Sequence, residues 1–389
     1  MRTGVVILLV GLLFILLVDA AFYRVTRPRR RWARVVCRVL PCLFAAGLAC
    51  YHVALPRLTG GGAYPWVMGG VLLLLLCYVP RCVFLLVFFA SRPVTRRRWP
   101  AVVAGAVSFL FILDGATLGR YRYRVEETRV VIAGLPAAFE GLRVVQISDL
   151  HLGSHGRGYP GVRRMVERVN GLEADVVVMT GDVVNNFASE MLPWIDELRG
   201  IRARYGKFAV AGNHDYGDYT RWPSAAAKEA NLRDFFRNVE ACGFEALNNE
   251  GRPLVVDGDT LFICGVENWR RPPLPSHGDV ARALEGTAGH VVILLSHDPV
   301  YWGDEIARHP VALTLSGHTH AMQAGARVGG WRWSPAKYFF PEYNGLYARD
   351  GRQLYVSRGV GYLGLPGRFG LPPEITLLKL TNTPLPDET

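Results

Sequence analysis

Five short runs of branched, apolar residues each stop on a cluster of carboxylate, amide or imidazole side chains. Leu142–Ile147 runs into Ser148, Asp149, Leu150 and His151, and Ala174–Met179 into Thr180, Gly181 and Asp182. Phe208–Ala211 ends in Gly212, Asn213, His214 and Asp215. His290–Leu295 ends in Ser296, His297 and Asp298, and Ala312–Leu315 in Ser316, Gly317, His318, Thr319 and His320. Short apolar runs ended by polar clusters read as buried strands. Thr260–Cys264, Gln353–Ser357 and Ile375–Leu380 read as further strands, and Gly161–Leu172, Met191–Tyr205 and Ala225–Cys242 as helices. Such alternation implies an α/β layered fold with central sheets. The carboxyl ends of neighbouring strands share one crevice, so the polar clusters are expected to meet there.

The chain before this region has a different composition. Up to Arg124 it holds 17 Arg and no Lys against Asp19 and Asp114, a net +15, while the whole chain is +11. The remainder is therefore net −4, and the basic balance belongs to the N-terminal part. Because those arginines lie between apolar runs, a nucleic-acid partner is not expected. We divide the chain into 1–124, a transmembrane region of about four helices, and 125–389, a catalytic domain. The apolar stretches are Val5–Phe22, Val35–Leu55, Trp66–Ala90 and Ala101–Leu118, each near the length of about 20 residues that crosses a hydrocarbon core.

The first stretch lacks a small-residue cleavage site and is followed by Arg24, Arg27, Arg29, Arg30 and Arg31. An uncleaved helix is expected rather than a signal peptide. A second basic loop holds Arg92, Arg96, Arg97 and Arg98, while Pro56–Pro65 between the two holds only Arg57. Basic loops stay cytoplasmic. The chain is thus expected in the inner membrane, multi-pass, with its catalytic domain on the external, periplasmic side. Arg81 and Asp114 fall inside apolar stretches, where charges are paired or functional. An Arg81–Asp114 pair between helices is one reading, a helix boundary beside Pro80 a second, and a part in transport or sensing a third.

Cys37, Cys42, Cys50, Cys77 and Cys82 lie in or beside the apolar stretches, and Cys242 and Cys264 in the polar remainder. No spacing suggests a zinc knuckle or a disulfide framework. Buried free thiols are the expectation for the last two, against a bridge between them.

The chemistry of the clusters is specific when they are taken together. Carboxylate, imidazole and amide oxygen suit Mn²⁺, Fe²⁺ or Zn²⁺. Two such ions about 3.5–4 Å apart clamp a phosphate and generate a nucleophile. In Asp149-Leu150-His151 the alternate residues share one face of an extended chain. A lone His or Gly-Asp carries little weight, but five such pieces, each after a strand, carry much.

The clusters resemble the calcineurin-like metallophosphoesterase superfamily, whose pattern is D-x-H, G-D, G-N-H-D/E, H and G-H-x-H. The resemblance covers about Arg143–Leu380 and implies a four-layered αββα sandwich. It further implies that Asp149, His151, Asp182 and His320 bind a first metal, and that Asp182 bridges to a second held by Asn213, His297 and His318. His214 is implied to contact the phosphate and help protonate the leaving group. The tail segments Gly317–Gln323, Asn344–Tyr347, Arg358–Tyr362 and Leu365–Ile375 resemble a membrane-anchored, multi-helix branch. Better-studied members with similar cores act on lipid-linked nucleotide sugars but carry GHTHGGQ, where this chain has Ala321 and Met322. Asn185 is a second departure, since related phosphatases can place there an Asp that supports the catalytic His.

From these residues we expect a membrane-anchored phosphoesterase with two divalent ions. It would hydrolyse phosphate-ester or pyrophosphate bonds of lipid or envelope substrates, by in-line attack of a metal-bridging hydroxide. The alternatives are a membrane sensor or transporter with a regulatory phosphoesterase domain, and an inactive binding module, which the intact ligand set opposes. Arg358 and Arg368 are candidate substrate contacts, against a structural or solvated role. His52, His155, His277, His290 and His309 are expected to be non-ligands. The aromatic segment Trp331–Tyr343 is expected either at a lipid surface or in the core. Substrate choice is assigned to Asn185–Met191, Tyr216–Ser224 and Glu267–Pro275.

Overall fold

Leu and Val dominate the first 118 residues, and these coil into four helices in a computed structural model describing residues 2–54, 64–156, 160–270, 276–329 and 331–383. Residues 55–63, which hold Arg57 and most of the expected loop Pro56–Pro65, and residues 271–275 of an expected substrate loop lie outside that range, as do the side chains of Cys50 and His52. The chain forms two compact units, Met1–Leu118 with Gly364–Pro366, and Gly119–Leu363 with Gly367–Thr389.

The first unit contains α1 (Arg2–Thr26), α2 (Arg31–Ala54), α3 (Tyr64–Ser91) and α4 (Trp99–Thr117). Among the described residues, three stretches are long and apolar enough to cross a membrane: Leu8–Thr26, Trp66–Ser91 and Trp99–Tyr121. The exception, α2, carries Arg31, Arg34 and Arg38 in its first turns and Pro41 inside. Leu9, Leu13, Leu16 and Leu17 of α1 point outward, an apolar stripe that suits lipid rather than water. The ion partner of Arg81 is Asp19 on α1, at 3.0 Å, not the Asp114 suggested by the sequence. Tyr78 also donates to Asp19, at 2.7 Å. This cluster ties α3 to α1 and neutralises an intramembrane charge.

The second unit is built on two six-stranded sheets. The first runs in the order β1 (Arg124–Val131), β14 (Glu374–Thr381), β2 (Arg143–Ile147), β3 (Val176–Thr180), β4 (Gly206–Val210), β5 (Glu245–Ala246). The second runs β12 (Gly345–Arg349), β13 (Arg352–Val356), β9 (Leu313–Ser316), β8 (Val291–Leu295), β7 (Asp259–Gly265), β6 (Glu250–Val256). A small hairpin pairs β10 (Ala326–Val328) with β11 (Trp331–Trp333). Strands β2 to β5 are parallel, as are β7, β8, β9 and β13.

Alternation along the strands makes the layers. Val144, Val176 and Val178 point between the sheets, where Ile263, Ile293 and Leu315 meet them. Their neighbours Val145 and Val177 point the other way, under Met165 of α5 (Pro160–Asn170), Leu198 of α6 (Ile195–Arg199) and Phe235 of α7 (Ala225–Ala241). On the far side Val292 and Leu294 pack under Val280 of α8 (Val280–Ala283) and Trp302 of α9 (Val300–Asp304). The result is the expected αββα sandwich. Each such buried side chain contributes roughly 1.5–3 kcal/mol.

Strand positions agree with the sequence within a residue or two. Met191–Tyr205, expected as one helix, is a 3-10 turn at Leu192–Trp194 followed by α6, which Gly200 closes. Cys242 and Cys264 are buried free thiols in cores on opposite sides of the sandwich.

Candidate metal centre

Five strand ends deliver the candidate ligands. Asp149 and His151 follow β2, Asp182 follows β3 and Asn213 follows β4, and these strands are neighbours in the first sheet. His297 follows β8, and His318 and His320 follow β9, neighbours in the second. The backbone there is unusual. Asp149 (φ 54°), His151 (45°), Asp182 (52°), His318 (71°) and His320 (48°) are all left-handed. Each costs on the order of 1–3 kcal/mol and persists only where its surroundings hold it, as at functional sites. Ala321 (46°) and Met322 (49°) continue the run, so the two residues that replace a Gly-Gly pair keep a glycine-like backbone. Gly212 and Gly317 allow close approach. A Cβ at Gly212 would strike the Asp182 carboxylate, and one at Gly317 the side chains of Ser148 and Asp149.

Two groups of donor atoms result, and Asp182 belongs to both. One is Asp149, His151, Asp182 and His320; the other is Asp182, His297 and His318. Within the first, Nε2 of His151 lies 3.0 Å from Nε2 of His320, which lies 3.3 Å from Oδ1 of Asp149. Within the second, Nε2 of His297 is 3.2 Å from Oδ2 of Asp182 and 3.2 Å from Nδ1 of His318. Oδ1 of Asn213 is 3.1 Å from the same Nε2.

The outer ring nitrogens explain this convergence. Nδ1 of His151 pairs with Oδ1 of Asn185 at 3.1 Å, and Nδ1 of His297 with the Thr180 carbonyl at 2.8 Å. Both acceptors call for Nδ1–H, which turns Nε2 of His151 toward His320 and Nε2 of His297 toward Asp182, Asn213 and His318. Divalent cations reconcile such a donor set, and with one carboxylate shared the arrangement defines a dinuclear divalent-metal site.

Electrostatics agree with this description. Burial pushes the Asp149 carboxyl up to about 6. Burial also opposes charge on Asp182, but His297 and His214 beside it hold that carboxyl well below its usual range. For His297 burial opposes the proton, yet the carboxylate of Asp182 outweighs it and lifts the ring to about 10. Burial lowers His151 to about 3 and also lowers His318 and His320. These last three rings are therefore neutral at pH 7, as metal ligands must be.

His214 stands beside the two groups and belongs to neither. Its N–H donates to Oδ1 of Asp182 at 2.9 Å, and Nδ1 meets the backbone carbonyl of Asn185 at 2.8 Å. The side chain of Asn185 orients His151 instead. The missing Asp is thus replaced by a main-chain acceptor, which orients the ring without adding charge.

Arg358 and Arg368 are 1% and 2% exposed. Arg358 pairs with Glu126 at 3.0 Å and Glu374 at 3.1 Å, and donates to Asn344 at 3.1 Å. Arg368 donates to the Gly359 carbonyl at 3.0 Å, to that of Gly361, and to the His320 carbonyl at 3.1 Å. Burial among protein acceptors gives both arginines a structural place rather than the substrate contact anticipated. Among the described residues His155, His277, His290 and His309 join neither donor group; His155, for one, is buried against the Leu150 carbonyl at 3.1 Å.

Three residues escaped sequence reasoning. Asp215 is buried and accepts N–H bonds from Val184 (3.0 Å) and Gly212 (2.8 Å), joining two ligand loops. Tyr219 stacks on His214 with ring centroids 4.3 Å apart and accepts Nδ2–H of Asn213. Arg270 donates to that same hydroxyl at 3.2 Å. Tyr219 and Arg270 lie in two of the three loops assigned to substrate choice, whose sequences carry no readable pattern.

A double sheet that brings two carboxylate–imidazole groups together around a shared Asp is the architecture of a metal-dependent hydrolase. Residues 142–322 match the family model for calcineurin-like phosphoesterases. A transmembrane protein with a metallophosphoesterase domain from Danio rerio is 33% identical over 267 residues, which cover 66% of this chain and 57% of that one. A protein of Aquifex aeolicus named as a metallophosphoesterase is 30% identical over 280 residues, 70% of this chain and 98% of that one. Another from Bacillus subtilis is 28% identical over 300 residues, 75% and 99% of the two chains. The chain spans little more than half the length of its Danio rerio and Bos taurus relatives, 57% of each. It belongs to the calcineurin-like metallophosphoesterase family.

Proposed function

We propose that this chain is a membrane-anchored phosphoesterase acting on phosphate-ester or pyrophosphate bonds of lipid or envelope substrates. The observation that carries the reading is the meeting of two donor groups at Asp182. Asp149, His151, Asp182 and His320 would hold one ion and Asp182, Asn213, His297 and His318 the other. When bound, the pair supplies Lewis acidity to the phosphoryl oxygens and makes the attacking water more acidic. Asp182 fixes the spacing of the two sites. With its Nδ1 held by Asn185, His214 keeps Nε2 for proton transfer and delivers a proton to the leaving oxygen. Neither Ser nor Cys is needed as a nucleophile.

The proposed location is supported by the first unit. Connectors 27–30 and 92–98 are both basic, as cytoplasmic loops are, and a catalytic unit on the outer side requires α2 to cross along with the three more apolar helices. Trp331 (58% exposed), Tyr338 and Phe339 present an aromatic surface to solvent, and Phe340 lies 5.8 Å from the His318 ring. That segment suits a lipid interface beside the site better than a core.

The test uses the purified full chain, bis-p-nitrophenyl phosphate and added Mn²⁺, Fe²⁺ or Zn²⁺. Asp182→Asn should abolish turnover and reduce the bound metal. Unchanged turnover would sink the assignment. A screen of phospholipids, nucleotide-sugar lipids, phosphoproteins and cyclic nucleotides would then define the substrate.

A further inference from the structure

In the first unit a cavity of about 1040 Å³ lies where α1 and α3 end and α4 begins. Arg24, Arg27, Arg92, Arg96 and Arg98 line it. None of the five has an ion-pair partner among the described residues, and Asp19 of α1 is already engaged by Arg81 and Tyr78. The carbonyl ends of α1 and α3 offset about half a charge each, far short of five. The cavity thus carries a concentrated positive field that favours an anion.

The remaining walls narrow the identity of that anion. Val25, Phe88, Phe89 and Val94 also line the cavity, with Phe89 53% and Val94 91% exposed. A small free anion would leave these surfaces bare. A ligand with a phosphate at one end and acyl chains at the other matches both. Nη1 of Arg98 donates to the Thr26 carbonyl at 2.9 Å, fastening the α3–α4 connector to the end of α1. Trp32 and Trp99, both exposed, start the helices that follow the two basic connectors, as aromatic residues do at the head-group level.

We infer that this cavity binds the phosphodiester head group of an anionic phospholipid, a site separate from the metal centre. The inference rests on insertion of α1, α3 and α4 in a bilayer and on nothing in the catalytic reading. Its acyl chains lie along Phe88, Phe89 and Val94, and its phosphate sits among the arginines, as basic pockets between membrane helices hold acidic lipids.

The experiment places the full chain in nanodiscs of phosphatidylglycerol or phosphatidylcholine. Native mass spectrometry counts the retained lipid, and thermal unfolding is followed in parallel. Inorganic phosphate in phosphatidylcholine discs provides a free-anion arm. The wild type should retain phosphatidylglycerol and unfold at a higher temperature with it than with phosphatidylcholine, with or without phosphate. A variant with Arg24→Gln, Arg92→Gln and Arg96→Gln should retain about a hundredfold less, three direct guanidinium–phosphate hydrogen bonds being removed. A variant with Arg29→Gln, Arg30→Gln and Arg34→Gln, equal in charge, should behave as wild type. Equal loss in both variants would reduce the effect to diffuse attraction and overturn the site. So would equal retention of phosphatidylcholine by the wild type, or equal stabilisation by phosphate alone. The wild-type comparison decides the matter even where a variant fails to fold.

Discussion

The hydroxyl of Tyr219 accepts a 2.7 Å hydrogen bond from Nδ2 of Asn213. That bond uses the donor side of the amide and turns Oδ1 toward His297 and the second donor group. Tyr219 is therefore a positioning residue outside the ligand set. Tyr219→Phe keeps the ring stacked on His214 and removes only the acceptor. Metal affinity at the second site should fall about 10–100-fold, as when outer partners of ligands are lost, while the first site stays filled. Metal analysis of the dialysed protein, read beside turnover at saturating Mn²⁺, checks this. Unchanged metal content would exclude the role.

Gly317→Ala places a methyl group against Ser148 and Asp149. The β9 loop must move away from β2, so the variant should lose the first metal and at least about 2 kcal/mol of stability, by overpacking at a buried site. Gly156→Ala meets nothing within 4 Å and should match the wild type. Denaturant titration of the two variants provides the comparison.

Arg358 holds the side chains of Glu126 and Glu374, the latter fully buried. Arg358→Met leaves the buried Glu374 carboxylate without its ion partner, while Glu126 keeps Arg327, and costs about 3–5 kcal/mol. KM measured well below the unfolding temperature should hardly change, because the guanidinium is turned into the protein. A large rise in KM with an unaltered melting temperature would restore Arg358 to substrate binding.

The His297 ring, lifted to about 10 beside Asp182, binds a proton that a metal ion must displace. Metal uptake at pH 7 should release protons, and affinity should fall up to about tenfold per pH unit as acidity rises. Calorimetry in two buffers of different ionisation enthalpy measures the release. In chelated protein the sign is that of any raised base. Stability from this proton is full below about pH 6.5, the usual value for histidine, and disappears as pH rises through about 10.

Burial raises the Glu190 carboxyl to about 7, although the N–H groups of Asn185 and Phe187 donate to it. Folding therefore favours its protonated form. Its penalty should be absent below about pH 4.3, the usual glutamate value, grow as pH rises, and level off above about 7. Glu190→Gln should flatten the melting temperature across that window.

The candidate donor residues were legible because strand and polar-cluster signals adjoin. Apolar runs such as β3 and β8 are buried on both faces, and each stops where its side chains begin to serve the crevice. Strand β1 was hidden by its charges, RVEETRVV, since Glu126 is buried only by virtue of Arg327 and Arg358, distant in sequence. In β6, Pro253 concealed an edge strand, the one place in a sheet that tolerates it. The roles of Arg358 and Asn185 were illegible for another reason. Sequence does not say whether an arginine faces a crevice or an acid, or whether a residue contributes its side chain or its carbonyl. Arg81 likewise showed that a partner was needed without showing which helix supplied it.

In the first sheet β14 lies between β1 and β2, pairing with both. Strand β2, which carries Asp149 and His151, acquires that neighbour only after residues 374–381 have been synthesised. The centre also requires His318 and His320, far downstream of Asp149. Pairings of such separation form late and slowly. A growing chain therefore has its four N-terminal helices complete long before the donor groups around Asp182 can come together.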